Sequence, residues 1–576
     1  MHQDIFNTCS ACSLTKDVAS RIMGIVSPTT SPAPTIEPSR DGNHHKDHLR
    51  SRPASFEEYV YWAKATRRDE SHQAPSGEKG PLGAPDATAL PQPQQQQQQQ
   101  HDTGRSMRTA GWGAIFYLIT ADVFGPFSTP WAFAQMGYGP GIAIFTVFGV
   151  LSTYSGWIIW KAYLGLDSDR YPLREYGDFF MRLFGRLPRR LVNICQSLQI
   201  ILTVSIIILL MGQSLSQMSR GPGGGQGVCF VACLAVFAAA GSILGQVRTL
   251  RRFSWLAFGA VGLNCFIMLL CVVVVVSSPP NFVATMAQYG PDFGPGPIAK
   301  FAGFPPDGYA SGGLGFVGTL NGLLQAVFAY GGCMLFVAFM AEMRQPRDFW
   351  KALVCAELFI YILYVAFGLF MYSFQGQFAL NPAMQGLSPY LWQTVANALS
   401  IGAYLVVGTL FANVGLKLFY IDILQEFFRF PDLTSTRGRV YWAVLTPIYW
   451  ALAFIICATV PMFSFVSGFI GAAFILSFTF TFPALIALGY TIKRDAMVEG
   501  EERFDPETRT YSYKDRGFKR FRRAFLKRPV LNTWNTIYFL GALTTCVLGV
   551  YSSVVALIDA FSGKSAATSW GCVPPV

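Results

Sequence analysis

The sequence predicts an all-α integral membrane protein of about eleven spans, and three observations support that fold class. Charged residues make up only 13% of the 576 residues, against roughly 25% in soluble proteins. Aromatic residues make up 15%, which excludes a disordered chain because disordered chains are poor in aromatic side chains. Apolar stretches of roughly 20 residues, long enough to cross a bilayer as a helix, recur along the chain.

Residues 1–107 form a polar N-terminal tail that is expected to be disordered and cytoplasmic. The tail contains a Pro/Ser/Thr-rich segment, a His-rich patch and a glutamine run, and this composition cannot bury a core. One stretch near 55–69 differs, because Ser55 precedes Glu58 at capping-box spacing and aromatic residues follow at helical spacing. It predicts a short amphipathic helix on the membrane or on the inner face of the protein. The first residues show no signal-peptide pattern.

The membrane domain is predicted over 108–562, and a short extracytoplasmic tail follows at 563–576. The longest predicted spans exceed the thickness of a bilayer, so they must tilt or protrude. The spans are placed at 109–136, 140–164, 190–218, 227–246, 254–277, 314–343, 350–374, 391–424, 440–459, 462–491 and 531–560.

Basic residues alternate between loops and predict the orientation of the chain. Arginine and lysine are concentrated in the loops after the even-numbered spans, whereas the intervening loops contain only Arg220 and Lys300. The positive-inside rule therefore places the N-terminus in the cytoplasm and, with an odd number of spans, the C-terminus outside. This topological pattern accounts for the formal net charge of +11, so nucleic acid is not expected as a partner.

Cysteine and histidine residues predict no metal site and no cofactor. Most of the twelve cysteines lie in hydrophobic segments, where cysteine serves as a small apolar filler. Cys9 and Cys12 form a lone CxxC without the second pair that a zinc site requires. Cys229 and Cys572 both fall on the extracytoplasmic side, where a disulfide between them is geometrically possible. All six histidines lie in the tail, so coupling must use a carboxyl group or a cation site.

The first span has a centre that is unfavourable for a helix. Pro126 and Pro130 remove helix hydrogen bonds, and Gly125 permits non-helical backbone geometry. Irregular backbone at this depth is tolerated only around a protein-lined or watery cavity. The N–H groups at the start of the second half-helix then suit an anionic group such as a carboxylate. A proline-kinked packing helix is the alternative interpretation.

A second break occurs in the sixth span, at the Tyr-Gly-Gly-Cys sequence of 330–333. The first half-helix ends there, and the carbonyls of Phe328, Ala329 and Tyr330 are expected to accept from an ammonium group. Two broken helices five spans apart are typical of two inverted five-helix repeats. Donors for a carboxylate and acceptors for an amine together fit a zwitterionic amino acid. The predicted substrate contacts are Asp122, Gly125, Pro126, Phe127, Ser128, Phe328, Ala329, Tyr330 and Gly331.

Few residues in the spans are suited to ion coupling or to a gate. Asp122, in the first break, either exchanges a proton during the cycle or caps the second half-helix. Thr409 and Asn413, one turn apart in the eighth span, either coordinate a cation through oxygens or pack helices together. The same ambiguity applies to a polar stripe in the third span that includes Gln199 and Thr203. Glu342 is predicted to pair with Arg344 or Arg347 at an inner gate.

Four stretches of the chain resemble the amino acid/auxin permease family of transmembrane amino acid transporters, and its fungal branch in particular. They read ADVFGPFSTPWAFAQMGYGPG, LDSDRYPLREYGDFFMRLFG, FAYGGCMLFVAFMAEMRQP and FSFVSGFIGAAFILSFTFTFPALIAL. The resemblance covers roughly 55–560 and implies the eleven-helix fold of the bacterial leucine transporter type. It also implies proton-coupled uptake or vacuolar movement of amino acids, often neutral ones, with substrate contacts at 125–128 and 328–331.

The sequence therefore predicts a secondary active transporter of amino acids, with the lipid bilayer and a coupling proton or sodium ion as partners. Polyamines, auxin-like acids or peptides are alternative substrates for the same breaks, and a non-transporting nutrient receptor is an alternative class. A channel needs a pore ringed by polar residues, and an enzyme needs a nucleophile–base pair or a metal; the spans offer neither pattern. The plasma membrane is preferred over the vacuolar membrane, with no targeting signal to decide between them.

Overall fold

A computed structural model describes most of the chain, with gaps. The described residues are 54–72, 110–123, 125–222, 225–247, 254–289, 294–307, 309, 315–433, 435–460, 463–498, 500–562 and 570–573. The expectations of a disordered tail over most of 1–107 and of an extracytoplasmic tail over most of 563–576 therefore lie outside the described residues.

The described chain is almost entirely helical. Its helices are α1 Phe56–His72, α2 Trp112–Val123, α3 Thr129–Met136, α4 Tyr138–Leu166, α5 Tyr176–Phe184, α6 Arg186–Ser219, α7 Phe230–Leu244, α8 Ser254–Ser277, α9 Phe282–Tyr289, α10 Gly315–Ala329, α11 Phe336–Glu342, α12 Phe349–Gln375, α13 Tyr390–Leu418, α14 Glu426–Phe428, α15 Thr436–Thr459, α16 Phe463–Ile470, α17 Phe482–Asp495, α18 Phe518–Lys527 and α19 Pro529–Ser562. Short 3-10 turns occupy Pro126–Ser128, Cys333–Leu335, Pro346–Asp348, Gly376–Phe378 and Ala383–Gly386, and π-helical segments occupy Phe419–Gln425, Gly471–Ile475 and Ser477–Thr481. Strands β1 Phe504–Asp505 and β2 Thr510–Tyr511 form one antiparallel hairpin.

The lengths and compositions of these helices confirm an all-α membrane fold. Within the described residues, eight helices, some continued through a 3-10 turn or a π segment, are long and apolar enough to cross a bilayer. Helix α7 and the stretch Gly262–Ser277 of α8 are shorter apolar helices, and the first predicted span is divided between α2 and α3. The count of eleven spans stays a prediction. The eight long spans are Tyr138–Leu166, Arg186–Ser219, Gly315–Glu342, Pro346–Phe378, Tyr390–Gln425, Thr436–Thr459, Phe463–Asp495 and Pro529–Asp559.

Both predicted helix breaks are present, and the two broken spans lie side by side in opposite directions. The Ala110 N–H, before α2, donates to the Glu342 carbonyl at 3.2 Å, and the Arg344 N–H donates back to the Ala110 carbonyl at 2.9 Å. At the opposite end α3 packs against α10, where a Cβ on Gly322 would lie only 2.9 Å from Gln135. The start of each broken span therefore meets the end of the other.

Helices that are five predicted spans apart also pack in pairs. Helix α4 contacts α12, α6 contacts α13, and α7 contacts α15. Two inverted repeats place equivalent helices across a shared axis, so these contacts are the arrangement that such repeats produce. The broken spans occupy the centre of this arrangement, with α12 packed against both α2 and α3.

A group of elements that we term the basic cap covers the end of the molecule where α2 begins. It comprises α1, α5, the β1–β2 hairpin and α18. Helix α1 lies on the stretch where the sequence predicts a helix near 55–69. Ser55 directly precedes it, and the Ser55 hydroxyl accepts the Glu58 N–H at 3.2 Å. Its apolar face packs against α4, α5 and α17, so it lies on the protein rather than extending away from it.

Candidate functional site

A cavity of about 200 Å³ lies between the two broken spans. Its wall is mostly apolar, and no charged side chain lines it among the described residues. The lining residues come from the first break (Gly125, Phe127, Ser128), the sixth-span break (Phe328, Ala329, Gly331, Gly332, Met334, Leu335), α6 (Gln199, Thr203, Ile206, Ile207, Leu210), α13 (Tyr404, Val407, Phe411), the segment after α12 (Asn381, Pro382) and span ten (Phe463, Ile475, Phe478, Thr479).

The first break is an open turn held in place by α12. The Gly125 N–H donates to the Tyr364 hydroxyl at 3.1 Å, and the Thr129 hydroxyl donates to the Pro126 carbonyl at 2.7 Å. Gly125 adopts φ −145° and ψ 64°, and a Cβ added there would meet no atom within 4 Å. The backbone at this point therefore borders open space rather than a packed neighbour.

The sixth-span break is tighter than the first. The Tyr330 N–H is shared between the Ala326 and Val327 carbonyls, and the Gly331 N–H donates to the Phe328 carbonyl at 3.3 Å. The Phe328 carbonyl, predicted to accept from an ammonium group, thus already accepts one hydrogen bond and keeps a second lone pair. A Cβ on Gly331 would lie 2.5 Å from Cγ2 of Ile475.

Three buried polar atoms on residues that line the cavity have no hydrogen-bond partner among the described residues. They are the Ser128 hydroxyl, Oε1 of Gln199 and Oδ1 of Asn381. A buried polar atom without a partner is uncommon and destabilising. A polar ligand in the cavity would satisfy such atoms, so they are candidates for direct contact with it.

The segment between α12 and α13 is a contributor to the site that the sequence did not indicate. It lies between two predicted spans, yet residues 378–386 are all buried. Amide side chains tie it down: Gln217 donates to the Gln385 carbonyl at 3.0 Å, and Asn397 donates to Oε1 of Gln217 at 2.7 Å. Asn381 in this segment donates to Gln325 of α10. Glutamine and asparagine residues inside apolar spans were the available signal for this network.

Span ten also differs from the continuous helix that its hydrophobic pattern suggested. Two π-helical segments, Gly471–Ile475 and Ser477–Thr481, interrupt it. Such segments are uncommon and are frequent at functional sites. Here they bring Ile475, Phe478 and Thr479 to the cavity wall. The residue types in this stretch do not predict π-helical turns.

Three further residues were predicted to contact the substrate. Asp122 belongs to the last turn of α2, and its side chain lies outside the described residues. Pro126 is buried in the first turn, and Tyr330 is fully buried with its ring beside Tyr364. Neither of these two lines the cavity.

The cation candidates in α13 lie on a different face from the residues that line the cavity. Tyr404, Val407 and Phe411 line it, whereas Thr409 and Asn413 do not. The Thr409 hydroxyl donates to its own helix, and Asn413 donates to the Val247 carbonyl beyond α7 at 2.9 Å. These contacts fit the packing interpretation of the pair.

The predicted inner gate lies next to the basic cap. Glu342 is 4% exposed, whereas Arg344 is exposed. The neighbouring Arg347 donates to the Arg67 carbonyl of α1 at 2.6 Å. Through this contact the cap reaches the loop that follows the sixth span.

The basic cap contains buried ion pairs. Arg67 pairs with the fully buried Asp167 at 2.9 Å. Glu58, 3% exposed at its side chain, pairs with Arg509 of the hairpin at 3.1 Å. The hydrogen bond from the Arg509 guanidinium to Glu58 raises the pKa of Arg509 above its ordinary value. The cap is therefore held by charge pairs that water cannot fully screen.

Comparison with known proteins adds a family. A model described as transmembrane amino acid transporter protein matches residues 107–502. A transmembrane transporter of Fusarium pseudograminearum is 22% identical over 475 residues, covering 81% of this chain and 88% of its own. The N amino acid transport system protein of Neurospora crassa is 22% identical over 470 residues, with the same coverage of both chains.

Among solved structures, MhsT in complex with L-phenylalanine aligns over 78% of this chain and 98% of its own. The two share 11% sequence identity and a TM-score of 0.40. The helix arrangement given above comes from the contacts of this chain alone.

Proposed function

The chain belongs to the transmembrane amino acid transporter family, and from that premise we propose that it is a proton-coupled secondary transporter of neutral amino acids. The observation that carries the proposal is the cavity between two broken, oppositely directed spans. Substrate sites at the meeting point of two broken helices are the pattern of transporters built from inverted repeats. Alternating access then requires one repeat to move against the other around the bound substrate.

The size and lining of the cavity support a single neutral amino acid as substrate. A volume of about 200 Å³ is below the roughly 300–1,000 Å³ of pockets for drug-sized ligands, so a peptide is disfavoured. A charged substrate side chain would be buried without a counter-charge from the described lining residues, which is costly. Aromatic and branched side chains such as Phe328, Phe411 and Ile207 instead offer apolar surface.

The two ends of the amino acid fit the two breaks. We assign its carboxylate to the turn at 125–128, where the start of a helix presents N–H groups, together with the Ser128 hydroxyl. We assign its ammonium group to the carbonyls of 328–331 at the negative end of α10. Gln199 and Asn381, whose side-chain amide oxygens have no hydrogen-bond partner among the described residues, are further acceptors for the same group.

Uptake into proteoliposomes tests the proposal. The purified chain is reconstituted and offered radiolabelled leucine, phenylalanine, glutamine, lysine and glutamate, with an imposed pH gradient, a sodium gradient or neither. Accumulation of the neutral members under the pH gradient is the expected result. Uptake of no panel member, or accumulation driven only by sodium, would contradict it. Asp122→Asn identifies the coupling role of that residue, because proton-driven uptake that survives the change excludes it.

We further propose that the basic cap faces the cytoplasm and that the protein resides in the plasma membrane. The disulfide between Cys229 and Cys572 supports this orientation, since disulfides persist on the oxidising side of a membrane. Fluorescence microscopy of the tagged chain locates the membrane. After reduction of intact cells, an impermeant maleimide should label Cys229 and Cys572; labelling only after permeabilisation would reverse the orientation or place the protein internally.

A further inference from the structure

Glu357 of α12 is a buried acid outside the cavity wall. Its side chain is 3% exposed, and the Ser152 hydroxyl, at the centre of α4, donates to its Oε1 at 2.9 Å. Its second oxygen, Oε2, has no hydrogen-bond partner among the described residues. An ionised carboxylate in this position would lose its hydration and gain only one hydroxyl donor, which is costly.

The groups that face Glu357 are neutral as far as the structure describes them. Among the described residues, Ser152 of α4 is the one side chain that donates a hydrogen bond to the Glu357 carboxyl group. From span six the facing titratable group is the phenol of Tyr330, and the phenols of Tyr361 and Tyr364 are on α12 itself. Helix α2 also packs against α12, and the side chain of its acidic residue lies outside the described residues. The neutral acid is therefore the form that this arrangement favours.

Tyr330 places a second unpartnered polar group against the same face of α4. Its side chain is fully buried, and its hydroxyl has no hydrogen-bond partner among the described residues. A Cβ added at Gly149 would lie 3.2 Å from that hydroxyl, and Gly149 is one helical turn from Ser152. The main chain of Tyr330 runs between two residues that line the cavity. One residue thus joins the substrate cavity to the surroundings of the acid.

We propose that Glu357 is the protonation site that couples proton movement to substrate movement, an inference that rests on the proposed transport function. When the cavity opens to the outer side, a proton from water binds a carboxylate oxygen and forms the O–H bond of the acid. While the cavity is closed, the acid keeps that proton. When the inner half of span six moves, the O–H bond breaks and the proton passes to water on the cytoplasmic side. Movement at the sixth-span break displaces Tyr330 and so changes the surroundings of the acid.

Glu357→Gln in the full chain tests the assignment, because glutamine mimics the neutral acid and cannot release a proton. The probe is the panel amino acid that the wild type exchanges fastest. Counterflow exchange of this amino acid is expected to stay within about twofold of wild type. Accumulation under the pH gradient, and the proton influx reported by a trapped pH-sensitive dye, are expected to be lost. Glu357→Asp should retain part of both signals.

Matched variants separate coupling from folding. Tyr330→Phe is expected to slow proton-driven uptake severalfold, whereas Tyr361→Phe, whose hydroxyl bonds with Thr146, should leave it unchanged. Should Glu357→Gln fold poorly, Ser152→Ala keeps the acid and removes its donor. Loss of a hydrogen bond to a charged group, about 1.5–3 kcal/mol, corresponds to roughly one to two pH units. The pH of half-maximal uptake should therefore move upward by about one unit or more.

The outcomes distinguish the two proposals. A wild-type chain that moves no amino acid, or gains nothing from a pH gradient, overturns the proposed function and the role of Glu357 with it. A wild type that is driven by protons while Glu357→Gln remains equally driven overturns the role of Glu357 alone. An unmoved pH profile in Ser152→Ala has the same consequence.

Discussion

The cavity between the broken spans and the basic cap differ in what holds them together. Around the cavity, backbone turns and apolar side chains meet with few hydrogen bonds, and three polar atoms are left without partners among the described residues. In the cap, buried carboxylates pair with Arg67 and Arg509 across long stretches of sequence. Weakly tied segments change conformation readily, whereas paired buried charges resist it. The difference assigns movement to the breaks and anchoring to the cap.

The largest effect is expected from filling the tight break. Gly331→Ala would force a Cβ to within 2.5 Å of the branched Ile475 side chain, and overpacking of this kind costs about 1–3 kcal/mol. Because the clash falls on the moving element, uptake should drop about tenfold or more. Initial uptake rates in proteoliposomes, normalised to reconstituted protein, measure it.

A second glycine provides the control for that prediction. Gly402 is exposed in α13, and a Cβ there meets no atom within 4 Å, so Gly402→Ala should leave uptake unchanged. The Cβ introduced by Gly125→Ala also meets no atom within 4 Å, but it projects into the cavity. It should alter the ranking of amino acids in the panel without lowering thermal stability. Equal losses of uptake in Gly331→Ala and Gly402→Ala would show that the tight packing at the break does not cause the effect.

The next effect is expected in the cap, on stability rather than on transport chemistry. Asp167→Asn leaves the guanidinium of Arg67 without its buried partner, and breaking a buried pair costs about 3–5 kcal/mol. Backbone amides of α1 should then exchange hydrogen faster, and thermal unfolding in detergent should shift to lower temperature. Hydrogen-exchange mass spectrometry resolves the first of these changes.

Arg67 supplies its own matched control. It also pairs with Glu70, whose side chain is 24% exposed, at 2.6 Å. Pairs that water reaches contribute about 0–1 kcal/mol, so Glu70→Gln should change exchange of α1 little. If Glu70→Gln destabilises the cap as much as Asp167→Asn does, burial is not what gives the pair its strength.

The smallest effect is expected from the protonation of Glu502, which lies just before the hairpin. Burial acts to raise the pKa of Glu502, but hydrogen bonds from the N–H groups of Lys514 and Val498 and from the Tyr511 hydroxyl lower it below its ordinary value. A carboxyl with a lowered folded pKa stabilises the fold above its unfolded pKa, roughly 4.3. That contribution is lost as pH falls through the folded value.

Hydrogen exchange of the hairpin, corrected for intrinsic rates, should therefore be flat from about pH 8 to pH 5 and rise only below about pH 4. Glu502→Gln should remove that rise. A transition of the hairpin near neutral pH would contradict the assignment.

Local patterns in the sequence predicted the main features of the fold because those features depend on neighbours in the chain. The breaks at Gly125 and Gly331 follow from residues that disfavour helices within a few positions. The spans follow from runs of apolar side chains. Ser55 likewise predicted the start of α1, because its capping hydrogen bond joins residues only three positions apart.

Other features of the site depend on contacts that no local pattern records. Asn381 reaches the cavity because a buried segment folds back between spans. Glu357 meets Ser152, 205 residues earlier in the chain, and Asp167 meets Arg67 across 100 residues. Sequence periodicity tells which face of a helix is apolar but not which neighbour that face meets.

The sequence by itself therefore determined an all-α membrane protein with two broken spans, since apolar length and helix-breaking residues act locally. Only the tertiary structure decided which side chains surround the cavity, that Thr409 and Asn413 lie away from it, and that a buried acid stands behind the sixth-span break. The physical reason is that lipid, not water, surrounds the spans. In lipid each polar group must find its partner within the protein, and the partner is set by how distant segments pack.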